Sequence, residues 1–314
     1  MSYPHIAQSK LISTIDLLVR DVLFEDIDIS HISIQLSKMY LPFIENYDPA
    51  LKYMPTIKAF KKSTEKVMAD PHSRNHRWGY YNTVQFINYL GNHKALITDE
   101  DAKLNKQEKS NSKVFEADLR KLFSEEHGLS RLLFVRIDLF YLKDTMHLVT
   151  IADLHRHLEK LREFIGNKRT CFEDLVDNAI AIEQGHEHGY HCHVLLIYNG
   201  ADRWKDSYLG RSVGEKWESI TDGLGSYYNC NHPANKRAYE ESGTLGIGMI
   251  SRHDEQAVEN AIRTALYLTD PGKTDRYTDR LDQHLKVKLP TMKTFTRGIV
   301  KDREKKKKHS SSNP

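Results

Sequence analysis

Apolar residues near the start of the chain recur at the three- to four-residue spacing of an amphipathic helix. Leu11, Ile15 and Leu18 show this spacing first. It recurs between Ile34 and Ile44, where Pro42 interrupts it. We therefore predict a mainly helical region over residues 1–97.

The stretch TDEDAKLNKQEKSNSK, from Thr98 to Lys113, has almost nothing to bury. This composition predicts a linker or a long exposed loop over residues 98–114. A short amphipathic helix carrying Phe115 and Leu119 then leads into a second domain, predicted over residues 115–298. The last residues, 299–314, are predicted to be a basic, disordered tail.

From Leu132 onwards the pattern changes to alternation with a period of two, typical of a strand. In LLFVRIDLF, Leu133, Val135 and Ile137 share one face, whereas Arg136 and Asp138 share the other. A helix over about 150–165, a hairpin made of DNAIAIEQ and YHCHVLLIY, a strand in GIGMIS and a helix over about 253–270 follow. This order predicts an α+β fold, an antiparallel sheet with helices packed on one face.

Composition narrows the class of protein. The chain of 314 residues is 39% hydrophobic, which is too much for a wholly disordered chain, and its apolar residues are too mixed with charge to span a bilayer. Its start lacks the pattern of a secretory signal, and its three cysteines do not suggest a disulfide framework or a zinc motif. We expect a cytoplasmic protein with reduced thiols and no membrane partner.

The formal charge of +3 conceals a gradient along the chain. Between Arg263 and Lys308, fourteen Lys and Arg residues stand against six Asp and Glu residues. A basic C-terminal third is where a polyanion is expected to dock, although the lysine-rich tail supplies half of this excess.

The chemistry is expected in the predicted hairpin. Its second strand carries His191 and His193, which project from the same face because residues two apart in a strand do so. If the turn is centred near residue 187, antiparallel pairing places Glu183 opposite His191. Two imidazoles and a carboxylate form a three-ligand site suited to Mg²⁺ or Mn²⁺ and possible for Zn²⁺. The alternative is a surface strand with stacked polar histidines, and a register shift of one residue would turn Glu183 to the other face.

Tyr267 stands apart from the apolar stripe of the last predicted helix. Positions four and seven residues earlier are Arg263 and Asn260, so the phenol is predicted on a polar row with a guanidinium one turn away. Such a tyrosine is most often an ordinary half-buried residue. Beside a metal-polarised target, however, a phenol can act as a nucleophile.

These elements together resemble the HUH family of single-strand DNA nucleases. His191-Cys192-His193 fits the histidine motif, and Glu183 fits the acidic third ligand of many replication initiators. More closely, VRIDLFYL, HGYHCHVLLIYNG and ALYLTD with LKVKLPTMKTFTRG are similar to the replication initiators of filamentous phages, a family also met in prophages as the YagK/YfjJ C-terminal domain. The resemblance spans roughly residues 132–298 and implies an RRM-like or ferredoxin-like core.

The resemblance also implies a reaction. Tyr267 would cut single-stranded or hairpin origin DNA beside a divalent ion, keep a 5′-phosphotyrosine and free a 3′ hydroxyl, so starting rolling-circle replication of a mobile element in a bacterial host with a host helicase or polymerase. The family tends to have a lysine three residues after the tyrosine, where this chain has Asp270. Lys273 is the nearest substitute, and Tyr277 is a lower-ranked nucleophile.

Seven residues are candidates for contact with the DNA. They are Arg136, Asp138, Arg263, Lys286, Lys288, Lys293 and Arg297. Aromatic residues of this kind more often belong to the core, but five could stack on unpaired bases: Trp204, Tyr208, Trp217, Tyr227 and Tyr228.

Three other functions stay open at the level of sequence. One is a DNA-binding regulator with the same fold and impaired cutting. A second is a metal hydrolase of unrelated substrate that uses the cluster of His186, His188, His191 and His193. A third is a transposase or relaxase-like enzyme of the same superfamily, which would share every site residue with an initiator.

Overall fold

The computed structural model describes residues 7–69, 77–186, 188–270 and 283–298. The described part of the first hundred residues is mainly helical. It comprises α1 (Gln8–Phe24), α2 (Ile29–Glu45), the short strand β1 (Lys52–Tyr53), α3 (Pro55–Ala69) and α4 (Tyr80–Gly91). Helix α2 begins where the Asp28 carboxylate accepts hydrogen bonds from the amides of Ser30 and His31.

Residues 98–114, predicted as a linker or a long exposed loop, do not form a loop, because they belong to a single 30-residue helix, α5 (Lys94–Phe123). The segment contains no glycine or proline and is rich in helix-forming residues, so a helix persists without a continuous apolar face. Ile97 near one end and Phe115 and Leu119 towards the other are buried, and the Asp101 carboxylate pairs with Arg20 of α1 at 2.8 Å. Despite its length α5 is too polar to cross a membrane, and no other helix of the described residues is long and apolar enough.

The second part of the described chain alternates strands and helices. It contains β2 (Arg131–Tyr141), α6 (Ile151–Asn167), β3 (Leu175–Gly185), β4 (Gly189–Asn199), α7 (Asp206–Ile220), β5 (Gly225–Asn229), α8 (Pro233–Glu241), β6 (Gly248–Ser251), α9 (Glu255–Leu266), β7 (Val287–Lys288) and β8 (Phe295–Arg297). The main sheet has the order β5-β2-β4-β3-β8, and β6 pairs with β2 beside β5. All its pairs are antiparallel, which confirms the predicted α+β class.

Helices cover both faces of the sheet, so the prediction of helices on one face is wrong. Leu133 and Val135 of β2 point into a core shared with α6, α7 and the N-terminal helices. The intervening Leu132 and Phe134 point into a second core, formed with α5 and α9. The sequence did not predict that helices also cover this face. Only the C-terminal turns of α5 pack there, and α9 contributes small residues such as Ala261. The candidate residues of β2, β3 and β4 lie on the side of the second core.

A buried asparagine closes the gap that separates β5 from β6 along β2. The Asn231 side chain accepts from the amide of Arg136 at 2.8 Å and donates to the carbonyl of Phe134 at 2.9 Å. It thereby replaces the strand partner that β2 lacks between its two short neighbours. This contact fixes the backbone of β2 at Arg136, directly beside the candidate site.

Candidate metal centre

The hairpin of β3 and β4 has the register predicted from the sequence. Glu183 pairs with His191, and Gly185 pairs with Gly189 at the turn, so Glu183 lies on the same face as the two histidines. The neighbouring Cys192 and Val194 point into the first core, as expected from strand alternation. The register thus places three potential ligands together.

Glu183, His191 and His193 can converge on one cation. Their potential ligand atoms all lie within 4.8 Å of one another, and all three residues are buried. The Oε2 atom of Glu183, which is only 1% exposed, lies 3.3 Å from Nε2 of His191 and 3.3 Å from Nε2 of His193. Two imidazole nitrogens and a carboxylate oxygen form a donor set that fits a divalent metal and leaves coordination positions for a substrate.

The outer nitrogen of each histidine ring faces an oxygen. Nδ1 of His191 is 3.2 Å from the carbonyl of Gly189, and Nδ1 of His193 is 2.6 Å from the Asp138 carboxylate. Oxygen partners of this kind hold Nδ1 protonated and leave Nε2 as the ligand atom. Both rings therefore present Nε2 to the shared centre, as metal ligands do.

The charged side chains of β2, β3 and β4 at this site shift one another's pKa values. Burial alone would raise the pKa of Asp138, but the adjacent His193 and Arg136 hold it well below its usual range. Burial disfavours the charged form of His193, yet the carboxylates of Asp138 and Glu183 outweigh it and raise its pKa. The carboxylates of Asp138 and Glu183 beside His193 thus favour a positive charge at this position, as a bound cation would supply.

Tyr267 lies beside the ligand cluster, although 74 residues separate it from His193 in the chain. Its ring centroid is 5.9 Å from that of His193, with the ring planes at 70°. The helix predicted to reach Asp270 ends at Leu266, and Tyr267 begins a 3-10 turn that extends to Thr269. Tyr267 therefore belongs to the turn that follows α9, and its side chain is 41% exposed.

The cation next to Tyr267 comes from the sheet. The Arg136 guanidinium carbon is 4.7 Å from the centroid of the Tyr267 ring, and Arg136 Nε lies 3.4 Å from the Asp138 carboxylate. Sequence spacing suggested Arg263 or Lys273 for this position instead. Arg263 is exposed and donates to the Asn260 side chain at 3.3 Å, and Lys273 lies outside the described residues.

No family model, curated protein or solved structure matches the chain. The arrangement of side chains therefore carries the functional argument.

The remaining residues predicted to contact DNA differ in their availability. Lys293 is exposed, whereas Lys288 is half-buried where β7 pairs with β1. Lys286 is 2% exposed, and its amine donates to the carbonyl of Gln184 at 3.4 Å. Its side chain is therefore packed inside the protein and is not available to contact DNA. The Arg297 guanidinium is engaged by the carboxylate of Asp118 on α5.

The structure gives two of the predicted residues contacts that the sequence did not indicate. Asp138, predicted as a DNA contact, lies 2.6 Å from Nδ1 of His193. Trp217 cannot stack on bases because it is fully buried and donates its indole N–H to the carbonyl of Phe140. Tyr208, Tyr228 and Trp204 are exposed. Tyr239, which sequence reasoning missed, is exposed as well.

The four-histidine cluster does not form as a ligand set among the described residues. The ring of His188 is 6.2 Å from that of His191, centroid to centroid, and the one group able to share a cation there comprises Glu183, His191 and His193.

Proposed function

We propose that this protein is a metal-dependent endonuclease that nicks and rejoins single-stranded DNA through a covalent link to Tyr267. The observation that carries the proposal is the position of the Tyr267 ring, 5.9 Å from a histidine of the three-ligand cluster. A nucleophile beside a cation site with open positions is the arrangement needed for phosphoryl transfer. Mg²⁺ or Mn²⁺ is the proposed ion.

The order of strands supports an HUH-type core with a ferredoxin-like arrangement. The succession β2-α6-β3-β4-α7-β5 has the β-α-β-β-α-β order of that motif, and its strands lie in the order β5-β2-β4-β3. Helices α6 and α7 contribute to the same core on one face of the sheet. The other face carries the proposed catalytic residues.

In the proposed reaction the Tyr267 hydroxyl attacks the scissile phosphorus, forming a bond from the phenolic oxygen to phosphorus and releasing its proton to solvent. The bond from phosphorus to O3′ breaks, and O3′ leaves as a hydroxyl after taking up a proton. A bound divalent ion would withdraw electron density from the phosphoryl oxygen. Arg136 stabilises the developing negative charge of the phenol, and Asp138 keeps His193 oriented. The reverse transfer rejoins a strand without ATP.

A covalent adduct with DNA is the decisive test. Labelled single strands that tile the region flanking the gene are incubated with the protein and Mn²⁺, then run on a denaturing gel. A band shift that survives denaturant and disappears on protease treatment is the expected result. The Tyr267→Phe variant should retain DNA binding and lose the adduct.

Other outcomes separate the competing functions. Tight DNA binding without nicking would favour the regulator, and an adduct that persists in Tyr267→Phe would remove Tyr267 from the role of nucleophile. Joined products distinguish a transposase, which inserts one strand into another, from an initiator of rolling-circle replication. EDTA should abolish the adduct with every active strand.

A further inference from the structure

A groove of about 570 Å³ opens beside Tyr267 on the face of the sheet that carries the metal ligands. Arg136 and Asp138 of β2 form its floor together with Tyr228 of β5, which pairs with Asp138 in the sheet. Helix α8, the loop 244–247 and helix α9 form its walls. Its volume falls within the range of pockets that hold small organic groups.

Two tyrosines of this groove are unusually open to solvent. Tyr228 on the floor is 49% exposed, and Tyr239 on the wall is 51% exposed. Neither belongs to a hydrophobic core of the described residues. Exposed aromatic rings in a groove are the surfaces on which unpaired bases stack.

The charges of the groove suit a phosphate. Arg263 on α9 and Arg136 on β2 both line it. The acid on the floor, Asp138, is already engaged by His193 at 2.6 Å and by Arg136 at 3.4 Å. An incoming anion therefore meets the guanidinium of Arg263 beside a carboxylate whose charge Arg136 and His193 compensate.

The wall facing Tyr267 is held firmly in place. The side chain of Asn260 on α9 donates to the carbonyl of Gly243 at 2.9 Å, and the amide of Thr244 donates to the carbonyl of Tyr239 at 2.9 Å. A Cβ atom on Gly246 would overlap Thr264 and the backbone of Asn260, so the loop rests directly on the helix. A groove shaped in advance spends little free energy on ordering when a ligand binds.

We propose that this groove binds the nucleotide that adjoins the scissile phosphate of single-stranded DNA, with its base against Tyr228 and Tyr239 and its backbone phosphate on Arg263. The inference rests on the proposed function and extends it to a base-recognition site. Tyr267 lines the same groove, so a nucleotide held there is joined directly to the phosphate that Tyr267 attacks.

A second groove continues from the first and extends the path of the strand. It shares Tyr228 and Asn235 with the first groove and adds Tyr208 and Arg211. The guanidinium carbon of Arg211 lies 5.5 Å from the centroid of the Tyr208 ring, and Tyr208 is exposed. The next base along the strand is therefore assigned to Tyr208.

The test measures binding without cleavage. Fluorescence anisotropy in EDTA gives the affinity for the tightest-binding of the tiled single strands, and for the same sequence as duplex, as RNA and as free nucleoside monophosphates. Tyr228→Leu and Tyr239→Leu should each weaken binding of the single strand by about 5- to 150-fold, the range for loss of one stacked base. Tyr228→Phe should bind like the wild type. Tyr80→Leu is the matched control, since Tyr80 is 74% exposed on α4 in the N-terminal helical region.

A scan with single abasic sites identifies the base. At one position of the strand, removal of the base should weaken binding to the wild type and have little further effect on Tyr228→Leu. Arg263→Gln, a change on an exposed helix surface that leaves the sheet intact, should lower the slope of log K against log salt by about 0.7. Thermal melting confirms that each variant is folded.

The outcomes separate this inference from the proposed function. If the protein cuts single strands but the Leu variants bind them like Tyr80→Leu, the groove assignment is overturned and the nuclease stands. If the groove variants lose affinity but no adduct forms, the groove stands as a single-strand site and the nuclease falls. Stronger binding of RNA, duplex or free nucleotides than of single-stranded DNA would overturn the proposed ligand.

Discussion

The carboxylate of Asp138 lies 2.6 Å from Nδ1 of His193, on the side of the ring opposite Glu183. The two residues are direct neighbours in the register of β2 and β4, so the backbone of the sheet sets this distance. Asp138 also lies 3.4 Å from Nε of Arg136, whose guanidinium covers the Tyr267 ring. One carboxylate therefore positions both a proposed metal ligand and the cation beside the proposed nucleophile.

Asp138→Asn is expected to weaken Mn²⁺ binding by about 10- to 100-fold, the usual cost of losing a partner that orients a ligating histidine. The amide retains an acceptor for Nδ1 but removes the charge, so Asp138→Ala should weaken binding further. Isothermal titration calorimetry with Mn²⁺ measures both values. Asp144→Asn, an exposed change in the loop after β2, is the control. Equal affinities for all four proteins would show that Asp138 does not support the site.

The sequence predicted the hairpin well and its surroundings less well. Strand alternation and a turn near residue 187 were enough to place Glu183 opposite His191, because both depend only on local geometry. The α5 segment was misjudged because few of its side chains look able to be buried, although it contains no glycine or proline. Its burial and its ion pair with Arg20 lie towards its two ends and involve distant parts of the chain. Likewise the burial of Lys286 depends on Gln184, 102 residues away in the chain. Contacts of such long range leave no periodic signal in the sequence.

Mn²⁺ should stabilise the wild-type fold if Glu183, His191 and His193 bind it together. At a concentration one hundred times the dissociation constant, the expected gain in unfolding free energy is about 2.7 kcal/mol. Glu183→Gln should abolish the rise in melting temperature, because the amide is a poor ligand for the cation. Differential scanning calorimetry with and without Mn²⁺ measures the effect. His147→Ala, at an exposed histidine, should respond like the wild type. A full response of Glu183→Gln would place the bound ion elsewhere.

Asn231→Ala should destabilise the fold by about 2–3 kcal/mol. The variant leaves the carbonyl of Phe134 and the amide of Arg136 without the side chain that pairs them, at a buried position. Urea unfolding followed by circular dichroism gives the difference in free energy. Asn92→Ala, at the exposed C-terminal end of α4, should change stability by less than about 0.5 kcal/mol. Identical unfolding midpoints for the two variants would argue against a structural role of Asn231.

The stability of the fold should depend on pH through Asp177. Burial raises the pKa of this carboxyl to about 6, against the hydrogen bond from the Asn178 amide and the attraction of Lys168. The folded form therefore binds the proton more tightly than the unfolded chain, and stability is lost as the pH rises from about 4 to about 6. Asp177→Asn should raise the unfolding free energy by about 2–3 kcal/mol above pH 7 and have little effect at pH 4. Chemical unfolding at several pH values from 4 to above 7 measures this difference in unfolding free energy, with Asp144→Asn as the control. A stabilisation by Asp177→Asn that is the same at every pH would contradict the prediction.

Two helical glycines should respond oppositely to the same substitution. Helix α7 packs so closely on β5 that a Cβ atom on Gly214 would overlap the ring of Tyr227, whereas a Cβ on Gly166 of α6 would meet no atom within 4 Å. Gly214→Ala should therefore lower the unfolding free energy by about 1–3 kcal/mol, since the ring and helix must separate. Gly166→Ala should raise it by about 0.4–1 kcal/mol by restricting the unfolded chain. Because Tyr227 adjoins Tyr228 in β5, Gly214→Ala should also weaken binding of single-stranded DNA. A stable Gly214→Ala protein would show that α7 and β5 can move apart without cost.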